Sequence, residues 1–235
     1  MTEIAIALAV LIILTVIIIF ILFYFGLING YHPMKKPKDG QTRVACVGDS
    51  ITYGCMVFNR SKNNYPTVLK GLLGEKYCVN NFGYTNRTAV KDGDYPFVCE
   101  KLYQKSLDFN PHIVVILLGS NDSKKINWDG EKFLTDYGAI LDSYLSLASK
   151  PKVYVIIPPP AFEVKGKVLY DLRDDVIANE ICPAVKRIAM ERNLKCINAF
   201  EVFKGKKELF ADGVHPNKKG CKLLAQAVFD ALNED

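Results

Sequence analysis

Two short stretches of this chain carry residue types that could perform acyl transfer. CVGDSITYG, residues 46–54, places Ser50 directly after a run of small and β-branched residues, and DGVHPN, residues 212–217, places Asp212 and His215 before a proline. A serine hydroxyl is inert at neutral pH unless a neighbouring base takes its proton, and an imidazole is the usual base. The chain has three histidines. His32 lies in a polar connecting stretch and His112 stands at the amino end of a strand-like run, which leaves His215. The three-residue spacing from Asp212 lets one turn present both side chains, so that the carboxylate can hold the tautomer of the imidazole.

Acyl transfer also needs donors aimed at the developing oxyanion. The backbone N–H of Ser50, the backbone N–H of Gly83 and the side-chain amide of Asn121 are candidates. Each feature has a plainer reading beside it. Serine and aspartate are favoured helix N-caps, DGVHPN is also a turn leading into a helix, and Asn121 could cap the next helix. The serine stretch is not a Gly-x-Ser-x-Gly elbow, because Thr52 stands where the second glycine would be.

The elements that must position these residues alternate along the chain. Strand-like runs fall at 43–48, 77–82, 112–119, 152–157 and 194–200, with helical patterns at about 65–75, 95–108, 130–149, 173–193 and 217–232. The run IVVILL has no polar alternation, as expected of a parallel strand covered on both faces. Alternating strands and helices predict a doubly wound α/β fold, in which ligands gather at the carboxyl ends of the strands. Ser50, Gly83, Asn121 and the Asp212–His215 turn all follow strands.

GDSIT, the NFG segment, LLGSND and DGVHPN, in that order, resemble the four sequence blocks of the SGNH (GDSL-type) hydrolase superfamily, and the resemblance covers residues 43–232. It implies a three-layer α/β/α sandwich with a five-stranded parallel sheet ordered 2-1-3-4-5. It also implies ester hydrolysis through an acyl-serine, with Ser50 attacking, His215 as base and then acid, and Asp212 orienting it. Ser50, Gly83 and Asn121 would form the oxyanion hole. The chain departs from the second block at Asn86, where the family often has glycine three residues on. Asparagine tolerates the left-handed conformation better than most residues, so the expectation is a slightly altered loop.

The superfamily's fold does not set its substrate. KDGDYPF (91–97), NDSKKINW (121–128) and VIIPPPAF (155–162) resemble segments of bacterial carbohydrate O-acetylesterases and sialate O-acetylesterase-like proteins. On that basis Tyr95, Trp128 and Pro159 are expected to bind substrate: Trp128 could offer a flat face to a sugar or pack on a helix end, and the proline run would stiffen one wall. The leading expectation is removal of acetyl groups from a glycan. A lysophospholipase or thioesterase, and a tethered protein that binds an acylated ligand without turnover, are the alternatives. No cofactor or metal is expected.

Residues 4–27 contain no charge. A helix of this length covers a hydrocarbon core of about 30 Å, and the stretch lacks the basic start and cleavage site of a signal peptide. The expected organisation is a membrane anchor at 1–34, a linker at 35–42 and a hydrolase domain at 43–235. Lys35, Lys36, Lys38 and Arg43 follow the span, which points to a cytoplasmic domain by the positive-inside rule, although an outward orientation stays open. The formal net charge is +5, with no basic run interleaved with aromatics, which argues against nucleic acid as a partner. Seven scattered cysteines without a Cys-x-x-Cys pair suit neither a disulfide framework nor a zinc site; a reducing compartment or an anaerobe's exterior would both accommodate them.

Overall fold

The computed structural model describes residues 2–24 and 34–234. α1 (Thr2–Tyr24) is a 23-residue helix, apolar on every face, about 35 Å long at the usual rise per residue. Its large side chains from Ile4 to Ile21 are exposed, and it is long and apolar enough to cross a membrane. The last positions of the expected 4–27 span, 25–27, lie outside the described residues.

The remaining elements follow as β1 (Thr42–Gly48), α2 (Ser50–Tyr53), α3 (Arg60–Asn63), α4 (Tyr65–Leu73), β2 (Tyr77–Gly83), α5 (Lys101–Asp108), β3 (Ile113–Leu117), α6 (Gly130–Leu145), β4 (Lys152–Ile157), α7 (Asp174–Val176), α8 (Cys182–Glu191), β5 (Lys195–Asn198), α9 (Ala199–Phe203) and α10 (Lys218–Asn233). The strands form one sheet in the order β2-β1-β3-β4-β5, and every pairing is parallel. This is the expected topology.

Alternate residues of the central strands feed two cores, as the two-residue period of a strand requires. Ala45, Val47, Val114 and Ile116 face Phe133, Tyr137 and Tyr144 of α6 and Val185 and Ile188 of α8. Val44, Cys46, Val115 and Leu117 face Tyr65 and Leu69 of α4, Phe203 of α9 and Leu224 and Val228 of α10. Burying each large aliphatic side chain contributes on the order of 1.5–3 kcal/mol. Both faces of these strands are therefore covered, which explains the uninterrupted apolar sequence of β3 and of residues 44–47 in β1.

Two expected helices differ in detail. The pattern at 95–108 becomes helical only from Phe97, because Thr88 N–H donates to the Tyr95 carbonyl and Phe97 N–H to the Thr88 carbonyl, holding this stretch extended through Pro96. The pattern at 173–193 is interrupted by a wide π-helical turn over Ile177–Ile181 just ahead of Pro183, whose missing N–H cannot close an ordinary turn. In the expected linker, Lys35 is tied to β2: its N–H donates to Asn80 Oδ1 at 3.0 Å, and Asn80 Nδ2 donates back to its carbonyl at 3.0 Å.

Candidate active site

Ser50 stands at the carboxyl end of β1, where the chain turns from strand to helix within two residues. Gly48 permits that turn: its φ of +154° and the closeness of the Leu117 carbonyl leave no space for a Cβ. Asp49 is the N-cap of α2, its Oδ1 accepting the Ile51 N–H at 2.9 Å. Capping thus falls to Asp49, and the Ser50 hydroxyl, in the first helical position, is left for other work.

That hydroxyl meets His215, with Nε2 and Oγ 2.9 Å apart. His215 Nδ1 lies 2.7 Å from Asp212 Oδ2, while Asp212 Oδ1 accepts the backbone N–H groups of Val214 at 3.0 Å and His215 at 2.8 Å. The turn is closed by Ala211 N–H on the His215 carbonyl at 2.8 Å, and Asn217 then caps α10. Gly213 lets the turn sit against the segment after β4. Its φ is +86°, a Cβ would collide with the Phe162 carbonyl, and its own carbonyl accepts the Phe162 N–H at 2.8 Å. Burial alone would push the Asp212 carboxyl up, but the hydrogen bond and charge of His215 overcome it and hold Asp212 below the usual carboxylate range. A carboxylate kept ionised beside Nδ1 fixes the proton there and leaves Nε2 facing the serine as acceptor.

A cavity of about 10 Å³ opens beside Ser50, lined by Ser50, Ile51, Asn86, Ser120, Asn121, Tyr170, Leu172, Val214 and His215. Asn121 is in it as expected, positioned by Asn127, whose Nδ2 donates to the Asn121 carbonyl at 2.9 Å, and by its own Nδ2 donating to the Arg87 carbonyl at 3.2 Å. Gly83 is not. It pairs with Gly48 in the sheet, its N–H donates to Asn81 Oδ1 at 2.8 Å, and the space for a Cβ is filled by the Tyr53 backbone nitrogen. Strand pairing thus holds Gly83 back from the site. Asn86, three residues on, lines the cavity with a φ of +66°, a left-handed conformation that asparagine tolerates.

The loop carrying Asn86 is held by Asp122, a residue the sequence reading did not single out for a role. Its buried carboxylate accepts the N–H groups of Ala89 and Val90, each at 2.9 Å from Oδ1. Tyr170 was also missed. Its hydroxyl donates to Asp212 Oδ2 at 2.8 Å, and its ring meets the His215 ring edge-on with centroids 5.3 Å apart. An isolated tyrosine in an aperiodic segment offers no sequence signal for such a position.

None of the three residues expected to bind substrate lines this cavity. Trp128 packs against Phe133, with centroids 5.5 Å apart, and its Nε1 donates to Glu180 Oε2 at 2.7 Å; the packing alternative describes it. Tyr95 is exposed and flanks the Arg87 guanidinium, 5.3 Å from its ring centroid, with Tyr84 at 4.3 Å. Pro159 is buried. Among the described residues no group of three or more His, Cys, Asp or Glu is arranged to hold a metal.

Residues 46–223 match the family described as GDSL-like lipase/acylhydrolase. An acetylxylan esterase from Xylanibacter ruminicola is 36% identical over 224 residues, covering 87% of this chain and 46% of that protein. The chain thus spans about half the length of that relative. Among solved structures, a carbohydrate acetylesterase from Sinorhizobium meliloti superposes with a TM-score of 0.70 at 19% identity, covering 83% of this chain and 99% of the other. A lipase/acylhydrolase from Enterococcus faecalis gives 0.68 at 22% identity, covering 83% and 96%. At these identities the two structures speak to the fold.

Proposed function

The chain belongs to the GDSL-like lipase/acylhydrolase family, and from that premise we propose that it is a serine carboxylic ester hydrolase removing short acyl groups, acetyl above all, from a carbohydrate. The observation that carries this reading is the continuous relay of Ser50 Oγ, His215 Nε2, His215 Nδ1 and Asp212 Oδ2 at 2.9 and 2.7 Å. Ser50 Oγ adds to the ester carbonyl while its proton passes to His215 Nε2. The tetrahedral intermediate collapses as His215 returns that proton to the departing alcohol, leaving an acyl-serine. Water, deprotonated by the same nitrogen, then releases the acid and restores Ser50.

The donors for the oxyanion are the Ser50 N–H, the Asn121 side-chain amide and the backbone N–H of Asn86, which replaces Gly83 in that role. Asn86 and Asn121 both line the cavity beside Ser50. Losing one such donor costs on the order of 3 kcal/mol of transition-state stabilisation.

Acetyl is favoured because the cavity beside Ser50 measures about 10 Å³, and a space of roughly that size holds one water-sized group. Carbohydrate is favoured by the acetylxylan esterase relative, at 36% identity. We further infer that α1 anchors the chain in a membrane as a single span through residues 1–34, with residues 43–235 forming the hydrolase domain. The lysines after the span favour a cytoplasmic domain; protease access in intact against lysed cells tests that orientation.

The activity is tested with the full chain in detergent, on p-nitrophenyl acetate, butyrate and octanoate, with Ser50→Ala as control, followed by acetylated oligosaccharides. Turnover that falls steeply beyond acetate and disappears in Ser50→Ala supports the reading. A preference for octanoate would replace it with a lipase or thioesterase role, and the absence of Ser50-dependent turnover would leave an acyl-ligand binding protein.

A further inference from the structure

We propose that Tyr170 is the residue that tunes the Asp212–His215 pair and, through its ring, limits the acyl group to acetyl. The inference rests on the esterase reading above and assigns a role that the nucleophile, base and oxyanion donors leave open.

Four observations converge on this side chain. Its hydroxyl donates to Asp212 Oδ2 at 2.8 Å, the same oxygen that His215 Nδ1 meets at 2.7 Å. The other oxygen of Asp212 is occupied by backbone N–H groups of the turn itself, so the phenol is the donor that reaches the carboxylate from another segment of the chain. The ring stands edge-on to the imidazole and forms part of the wall of the cavity beside Ser50. The backbone is left-handed at Tyr170, with φ 61° and ψ 24°, and again at Asp171, with φ 58°. A tyrosine persists in that conformation only where its surroundings hold it there.

A packing role does not account for this placement. Tyr170 is 47% exposed, so its ring is not held there by burial in the core. What the position provides is contact with Asp212, His215 and the mouth of the acyl cavity.

The electrostatic consequence has a definite sign. A hydrogen bond to a carboxylate disperses its charge and stabilises the ionised form. Asp212 bonded to Tyr170 is a weaker partner for a protonated His215 than Asp212 alone would be. The phenol remains protonated, since burial and the hydrogen bond to Asp212 both push it up from its usual range. Cys55, just past α2, is the further ionisable group that feels the charge of Asp212 and acts on Tyr170, and Asp49 and Arg60 act in turn on Cys55. Burial, and then the charge of Asp212, push the Cys55 thiol up to about 12, so it stays neutral.

Two variants of the full chain in detergent separate the two contributions. Tyr170→Phe keeps the ring and removes the donor; the acid limb of the kcat/KM profile on p-nitrophenyl acetate should move up, with the butyrate-to-acetate ratio unchanged. The same shift should appear in the NMR titration of the His215 ring when Tyr170→Phe is compared with the native chain, both carrying Ser50→Ala. That measurement needs no turnover, so it tests the tuning even if the esterase reading fails. Tyr170→Ala removes the ring and should raise the butyrate-to-acetate ratio of kcat/KM by about 10-fold, the scale on which a pocket discriminates methylene groups. Superimposable His215 titrations in Tyr170→Phe would overturn the tuning, and an unchanged acyl ratio in Tyr170→Ala would overturn the size limit. Loss of Ser50-dependent turnover in the native chain would instead count against the underlying esterase reading.

Discussion

Nε2 of His215 lies 2.9 Å from Oγ of Ser50, although 165 residues separate them in the chain. The contact exists because β1 is an inner strand of the sheet and the Asp212–His215 turn folds back over its carboxyl end. Two residues that act as one unit should not show additive losses. Ser50→Ala and His215→Ala are each expected to lower kcat by at least ~10³-fold, and the double variant by no more than the worse single variant. Steady-state kinetics on p-nitrophenyl acetate would measure this, and a double variant whose loss equals the product of the singles would break the unit apart.

The oxyanion donors give a second prediction. Asn121→Ala should lower kcat by about 10²-fold with little change in KM, because the amide acts on charge that develops in the transition state. Asn86→Gly should stay within about threefold of the native rate, since glycine adopts positive φ readily and keeps the backbone N–H. A loss from Asn86→Gly as large as that from Asn121→Ala would show that the Asn86 side chain, rather than its backbone, does the work.

Much of this site could be read before any coordinates. Ser50 and Asn121 follow strands directly, Asp212 and His215 follow β5 after the intervening α9, and one rule about strand ends brings them to one edge. The order of the sheet came with the family resemblance. Gly83 misled because a glycine in NFG looks like a place for close backbone approach. It is one, but the backbone that approaches belongs to α2, and its N–H serves Asn81. Asn86 was noticed only as a departure expected to alter the loop slightly, and its left-handed backbone is one that asparagine tolerates. Trp128, singled out for its rarity, spends its indole N–H on Glu180. Tyr170 was invisible, because a left-handed tyrosine between two loops leaves no periodicity and no turn signature to detect.

The turn that carries His215 depends on Gly213. At a φ of +86°, with the Phe162 carbonyl where a Cβ would stand, Gly213→Ala faces both left-handed strain and a collision. Strain of this kind costs on the order of 1–3 kcal/mol. The variant should show a lowered thermal midpoint and a larger loss of kcat than of stability, because the turn sets the distance from His215 to Ser50. Thermal unfolding followed in parallel with kinetics would check it, and native rates in the folded variant would show that the turn tolerates displacement.

Stability should depend on pH through two buried carboxyls. Burial pushes Asp49 up to about 7, and Asp122 up to about 6 even though backbone N–H groups oppose the shift. Asp49 Oδ2 has no hydrogen-bond partner among the described residues. A carboxyl raised above its unfolded value, about 3.9, favours the fold fully below that value and loses the contribution as pH rises through its folded value. The native chain is therefore expected to lose stability between about pH 4 and about pH 7 on account of these groups. Asp49→Asn keeps an oxygen for the Ile51 N–H and removes one of the two titrations, so its stability should fall less over the same interval. Parallel pH profiles of the thermal midpoint for the two chains would rule this out.

Trp128 provides the opposite kind of test, in which stability changes and chemistry does not. Its indole packs on Phe133 and donates to Glu180, and it does not line the cavity beside Ser50. Trp128→Phe retains an aromatic ring and removes the donor. One such hydrogen bond to a charged group contributes about 1.5–3 kcal/mol at most, and less where solvent reaches it. The variant should lower the thermal midpoint slightly while kcat/KM on p-nitrophenyl acetate stays within about twofold of the native value. Acetylated oligosaccharides add a finer comparison. If Trp128→Phe raises KM for an oligosaccharide while leaving the small aryl ester untouched, the indole contacts the glycan beyond the acyl cavity. If both substrates respond alike, its role is confined to holding the start of α6 against the π-helical turn ahead of α8.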